Sequence, residues 1–260
     1  MPSQQPLDQI PFLLFVVLLF AFCLAAYEVG FRVGKRRQEA GETENEGPTG
    51  MIVGAILALM AFLLAIAMGM AGDRFDVRRG LVQQEANAIG TTYLRAGYLP
   101  EPASSELREL LVEYTPLRIA TSDRGELQTN IDRSVELQHE MWGIAQDVAR
   151  ENSSDVVALF LESLNEVIDV HSQRITAGLY ARVPPTILWL LIGGVVLSLG
   201  LVGYSAGLSG KHALVIAVIL ILTLGTVIAL VIDIDRPADG FIETSQQPLI
   251  SLQDSIQSYP

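Results

Sequence analysis

Three carboxylates fall within seven residues in the segment Asp233-Ile234-Asp235-Arg236-Pro237-Ala238-Asp239-Gly240. Oxygen ligands at that spacing could hold a hard cation such as calcium. The segment lacks a full calcium-loop pattern, however, and Arg236 within it could neutralise one carboxylate, which favours a salt-bridged junction over a metal site. A second concentration of polar chemistry lies between residues 73 and 174: Asp73, Arg74, Arg78, Glu85, Asn87 and Arg95, then Asn165, Asp169, His171 and Arg174. Helical spacing brings Asn165 and Asp169 onto one face beside His171 and Arg174. On so apolar a helix these groups need partners, and Arg74, Arg78, Arg79 or Arg95 would supply them through ordinary ion pairs. The alternative is a role in permeation or in binding a ligand.

Other chemistry is sparse. His139, His171 and His212 are scattered, and Cys23 is the one cysteine, so neither a histidine or cysteine metal centre nor a disulfide framework is expected. No phosphate-binding loop, dinucleotide glycine fingerprint, nucleophile elbow or His-Glu-x-x-His pair is present. The chain is therefore read as no enzyme. A net charge of −12 argues against a nucleic-acid partner, because phosphate backbones are held by basic surfaces.

The elements that must carry these residues are set by hydropathy. Half of the 260 residues are hydrophobic, mean hydropathy is +0.38, and the apolar residues are concentrated in four blocks, at 11–31, 51–72, 184–207 and 212–232. Each has the ~20 residues needed to cross the hydrocarbon core, and only closed hydrogen bonding is tolerated there, so each is predicted to be a transmembrane helix. Nothing basic precedes the first block, which is read as a retained helix and not a cleaved signal. The fold class is thus an all-α membrane protein, with four transmembrane helices and a helical insert between the second and third. Ser209-Gly210-Lys211 joins the third and fourth as a hairpin. Residues 32–50 are polar, rich in Gly and Glu, and expected to be flexible.

The insert, residues 73–183, has 11 Arg and 18 Asp or Glu. Breaks at Pro100, Pro102, Gly125 and Asn152-Ser153-Ser154 delimit its helices. The first continues out of the second span to about Tyr98. Another starts at Ser104 as N-cap and ends near Pro116. A third, residues 127–150, repeats Leu127, Ile131, Val135, Trp142, Ala145 and Val148. The last begins at Asp155 and buries Val157, Phe160, Leu164, Val167 and Ile168. Growing from two membrane helices, the insert could transmit movement to them.

The second span has a stripe of small residues: Gly54, Ala58, Ala61, Ala65, Gly69 and Gly72. Such a stripe permits close helix contact, and a packing seam inside one subunit is its commonest use. The functional alternative is a pore-lining helix whose Phe62, Ile66 and Met70 form a hydrophobic gate. The glycines of the third span, Gly193 to Gly207, read as a packing surface. With no charge deep in any span, a transporter would have to rely on Glu28, near the end of the first.

The segments 71–79, 85–95, 99–100, 164–171 with Arg174, 182–185, 233–237 with Gly240, and Gln247-Pro248-Leu249 together resemble the bestrophin-like family of bacterial membrane proteins. The resemblance runs over residues 51–253, setting apart residues 1–50 as a first span with its loop and 254–260 as a tail. It implies a homo-oligomeric ion channel of the bacterial inner membrane, a pentamer embedded in lipid with the second span lining the pore. It also implies termini and insert in the cytoplasm, although the basic residues Arg32 to Arg37 and Arg74 to Arg79 leave the charge rule without a preference. Bestrophins hold calcium after the fourth span, where Asp233, Asp235 and Asp239 stand here, so calcium is a candidate cofactor by analogy. The alternative function is a non-conducting scaffold or sensor whose insert binds a ligand or partner.

Overall fold

A computed structural model describes residues 10–41, 48–121, 123–236 and 240–258. All the regular elements among them are helices: α1 Phe12–Glu39, α2 Pro48–Ala96, α3 Ala103–Leu117, α4 Arg124–Glu151, α5 Asp155–Ile175, a π-helical turn Thr176–Tyr180, α6 Pro185–Leu208, α7 Leu214–Asp235 and α8 Gln247–Ser258. Four helical stretches are long and apolar enough to cross a membrane. The helices form two compact units, Met1–Arg74 with Arg182–Ile242, and Phe75–Ala181 with Glu243–Pro260.

The first unit contains the spans. Its core uses one narrow stripe per helix: Phe15, Leu19, Cys23 and Tyr27 on α1, Met60, Leu64, Ala67 and Ala71 on α2, and Ala217, Ile221, Leu224 and Ile228 on α7. The remaining faces carry exposed Leu13, Phe22, Leu190, Val215 and Ile216, a surface that water would not tolerate at this extent. The tightest seam joins α1 to α6. A methyl group on Gly30 would fall on the carbonyl oxygen of Gly200, one on Gly34 on that of Tyr204, and ones on Gly203 and Gly207 on those of Tyr27 and Phe31. Because both sets of numbers rise together, α1 and α6 run parallel, with backbones in contact as small residues allow. Of the third-span glycines, Gly193 meets nothing within 4 Å and Gly194 faces the Met60 side chain. Gly210, at φ +68°, makes the turn into α7, beside Gln38.

The second unit is the helical insert together with α8. Leu107, Leu111 and Tyr114 of α3, Leu137, Met141 and Ala145 of α4, Phe160, Leu164 and Val167 of α5, and Leu249 and Ile256 of α8 share one core with Ile89 and Tyr93 of α2. Residues 254–258, read from sequence as tail, belong to α8, whose Leu249, Leu252 and Ile256 supply an apolar face.

Local details differ from the sequence reading in four places. Ser104 is not the cap of α3: the helix starts at Ala103, and the Glu101 carboxylate accepts the N–H (3.3 Å) and O–H (2.7 Å) of Ser105. Gly125 lies within the first turn of α4, which starts at Arg124 and not at 127, with Asp123 as its cap accepting the Glu126 N–H at 2.9 Å. The buried face of α4 is also rotated. It presents Ser134, Leu137, Gln138, Met141, Ala145 and Val148, while Val135 is exposed and Trp142 half-buried. The expected flexible loop lies partly at residues 42–47, outside the described residues; residues 32–39 continue α1 as helix.

Candidate functional site

Two features of the chain hold chemistry that packing alone does not account for. The first is the outer face of α2. Gly54, Ala58, Ala61, Ala65 and Gly69 are exposed and Gly72 is half-buried, and a methyl group added at Gly54, Gly69 or Gly72 would meet nothing within 4 Å. The stripe is therefore not a packing seam inside the subunit, since α2 uses the opposite residues, Met60, Leu64, Ala67 and Ala71, for that purpose. Phe62 (62% exposed), Ile66 (46%) and half-buried Met70 flank the stripe at helical spacing.

The second feature is a buried charge network in the second unit. Glu85, on α2, is fully buried, and its two carboxylate oxygens go to different parts of the insert. Oε1 accepts from Arg118 Nε at 2.8 Å, just after α3, and Oε2 from Arg174 Nη1 on α5. Arg118 Nη1 also donates to Ser134 Oγ (3.3 Å) on α4, and Arg174 donates to the Arg118 carbonyl (3.1 Å) and to Gln246 Oε1 (3.3 Å). The Arg118 guanidinium lies 5.9 Å from the Tyr114 ring centroid. Tyr114 Oη in turn accepts from Gln138 Nε2 (3.0 Å) and meets His171 Nδ1 (3.3 Å).

Two guanidiniums face one carboxylate here, so the network has a surplus positive charge in a poorly solvated place. Its effect on the neighbours follows. Burial, with a smaller contribution from Arg118, pushes His171 down to about 4, and burial pushes the Tyr114 phenol well above its ordinary range. Both are neutral at pH 7.

Of the insert residues singled out from sequence, the structure brings Glu85, His171 and Arg174 into this network and leaves the others outside it. Asn165 and Asp169 are exposed and partner each other, Nδ2 to Oδ2 at 2.9 Å, instead of the arginines expected. They are on the outer face of α5, so no inter-helix partner is required. Arg95 donates to the Leu159 carbonyl (2.6 Å), Asn87 accepts from Gln83 (3.0 Å), and Arg74 donates to the Met70 carbonyl (3.4 Å). Asp73 is exposed, and Arg78 is buried, 6.0 Å from the Phe75 ring centroid. The sequence reading missed Arg118, Ser134, Gln138 and Gln246. A usable signal was present in Ser134 and Gln138, which occupy the heptad-like positions before Met141 where an apolar face would otherwise continue.

The acidic segment at the C-terminal end of α7 is a backbone clasp. Asp233 accepts the N–H groups of Phe241 (2.7 Å) and Ile242 (3.0 Å), and Asp235 accepts the Val183 N–H (2.8 Å) and Arg182 Nε (3.1 Å). Arg236 donates to the Ile10 carbonyl (3.1 Å) and lies 5.3 Å from the Phe12 ring centroid. Asp233 is 3% exposed, Asp235 fully buried, and Asp239 lies outside the described residues. All four described carboxylate oxygens hold N–H donors, and no group of three or more His, Cys, Asp or Glu placed to hold a metal occurs among the described residues. Asp233 and Asp235 as arranged do not fit a calcium set.

The model of the Bestrophin-like domain matches residues 8–249, a stretch that includes the first span. No curated protein matches the sequence. Among solved structures, a variant of a bacterial Bestrophin homolog from Klebsiella pneumoniae is similar, with a TM-score of 0.68 at 15% identity, covering 93% of this chain and 96% of its own. Another structure of that homolog has a TM-score of 0.67 at 16% identity with the same coverage. Identities this low speak for the fold. Four apolar spans, a helical insert between the second and third, and a family match over nearly the whole chain lead to one assignment: the chain belongs to the Bestrophin-like family of membrane proteins.

Proposed function

We propose that this protein is a homo-oligomeric ion channel of the bacterial inner membrane, in which copies of α2 face one another around a central pathway. The observation that carries the reading is the outward direction of the α2 stripe. Small side chains give little dispersion contact to lipid, whereas between helices they allow backbones to approach closely. Gly54, Ala58, Ala61, Ala65 and Gly69 thus suit a neighbour of the same kind, with Phe62, Ile66 and Met70 beside them as a hydrophobic constriction that gates by dewetting. Membership of a family known as ion channels supports the same reading, and a pentamer follows by that resemblance. The exposed Leu13, Val215 and Ile216 side chains suit contact with lipid acyl chains. In this reading the protein is no enzyme.

The test is ion flux into liposomes carrying the purified chain, with the particle imaged along its symmetry axis. Flux from a five-fold ring with a central opening is the expected outcome. A ring that conducts nothing across a range of pH, calcium and salt would favour the scaffold or sensor reading, and a monomer would remove the pore altogether.

A further inference from the structure

We propose that His171 is an acid-responsive pin: a proton on its ring breaks the hydrogen-bonded relay that ties α5 to α3 and α4, and loosens this part of the insert. The relay fixes where the proton would go. Gln138 Nε2 donates to Tyr114 Oη at 3.0 Å, which leaves the phenol's own hydrogen for His171 Nδ1 at 3.3 Å. A ring nitrogen that accepts this hydrogen has none of its own, so the neutral imidazole has its hydrogen on Nε2. His171 is 2% exposed, and its Nε2 has no hydrogen-bond partner among the described residues.

A second proton must go to Nδ1. There it points at Tyr114 Oη, which already accepts from Gln138, so the phenol would face two donors and its own hydrogen would lose its acceptor. The new charge is also poorly placed. Charged groups reach the ring from just after α3 as Arg118, from α5 as Arg174 and from α2 as Glu85, two cations against one carboxylate already engaged by both. The other polar side chains of the network, Ser134 and Gln138 on α4 and Gln246 ahead of α8, are neutral.

The sign follows from linkage. An unfolded histidine titrates near 6.5, and burial together with the arginines pushes the folded one down to about 4. Between those values the unfolded chain binds a proton that the folded chain does not. Stability is therefore full above pH ~6.5 and is lost as the pH falls, by up to about tenfold in the folding equilibrium per pH unit. None of this requires that the protein conduct ions.

The test is denaturant unfolding of the full chain in detergent between pH 4.5 and 7.5, for the wild type and for His171→Gln, whose amide can accept from Tyr114 but does not titrate. The wild type should weaken relative to the variant as pH falls below 6.5, approaching tenfold per unit. Parallel profiles would overturn the proposal. Nitrogen-15 spectra of the histidine-labelled wild type provide the second measurement, which stands even if the variant fails to fold. They should show one ring neutral at pH 5.5 with its hydrogen on Nε2. Three rings all protonated at that pH would equally overturn it. Loss of the pH response together with normal flux, or the reverse, separates this pin from the channel reading.

Discussion

Glu85 offers two oxygens to guanidiniums from different parts of the insert, and the consequence of removing it differs from that of removing either partner. Glu85→Ala would leave Arg118, 7% exposed, and Arg174, 13% exposed, as uncompensated charges. Breaking a buried pair in this way costs about 3–5 kcal/mol, to be measured by denaturant unfolding in detergent. The exposed pair Asn165 and Asp169 gives the contrast: Asp169→Ala should change stability by no more than about 0.5 kcal/mol. Glu85, His171 and Arg174 stood out in sequence as polar residues of the insert, but the pairing of Glu85 with Arg174 did not, since the arginines expected as partners were Arg74, Arg78, Arg79 or Arg95. Arg118 was not singled out at all. It follows Pro116 at the end of α3, and nothing local says that it turns inward to an acid 33 positions earlier. Asn165 and Asp169 misled because side-chain spacing shows which residues share a helix face but not whether that face is covered.

At the scale of elements, glycine does two opposite things. Gly203 lies against the Tyr27 carbonyl, so Gly203→Leu would force α1 and α6 apart and should abolish recovery of folded protein from membranes. Gly69 has open space around it, and leucine is a better helix former than glycine by about 0.8 kcal/mol. Gly69→Leu should therefore fold as a subunit yet fail to assemble, seen as a fall to monomer mass in detergent with an unchanged helix signal. A monomeric wild type, or an intact oligomer from Gly69→Leu, would count against the assembly through α2. Each span was readable from the sequence, because a continuous apolar run of that length has one solution in lipid. The face of α4 was less so: Ser134 and Gln138 point inward to serve Arg118 and Tyr114, so the apolar count picked the wrong stripe. The reason is physical, since buried polar groups in a satisfied network break the very periodicity by which burial is inferred.

For the whole molecule, the clasp at the end of α7 bears on regulation. Calcium added or chelated should leave the unfolding midpoint of the purified protein unchanged, because Asp233 and Asp235 already hold four N–H donors. A rise in midpoint with calcium, reversed by chelator, would show that ligands beyond these two join them. Asp235→Ala, by contrast, removes the acceptor of the Val183 N–H and of Arg182 Nε and should destabilise by about 1–3 kcal/mol.

The parallel seam between α1 and α6 also constrains how the chain is made. Gly30 and Gly34 meet their partners only at Gly200 to Gly207, after α2 and the whole insert have left the ribosome. At ~5–20 residues per second that delay is roughly ten to thirty seconds. Through that interval the first span stands in the bilayer with its closest-fitting surface open, a substrate for whatever chaperone or quality-control protease watches over unfinished membrane proteins.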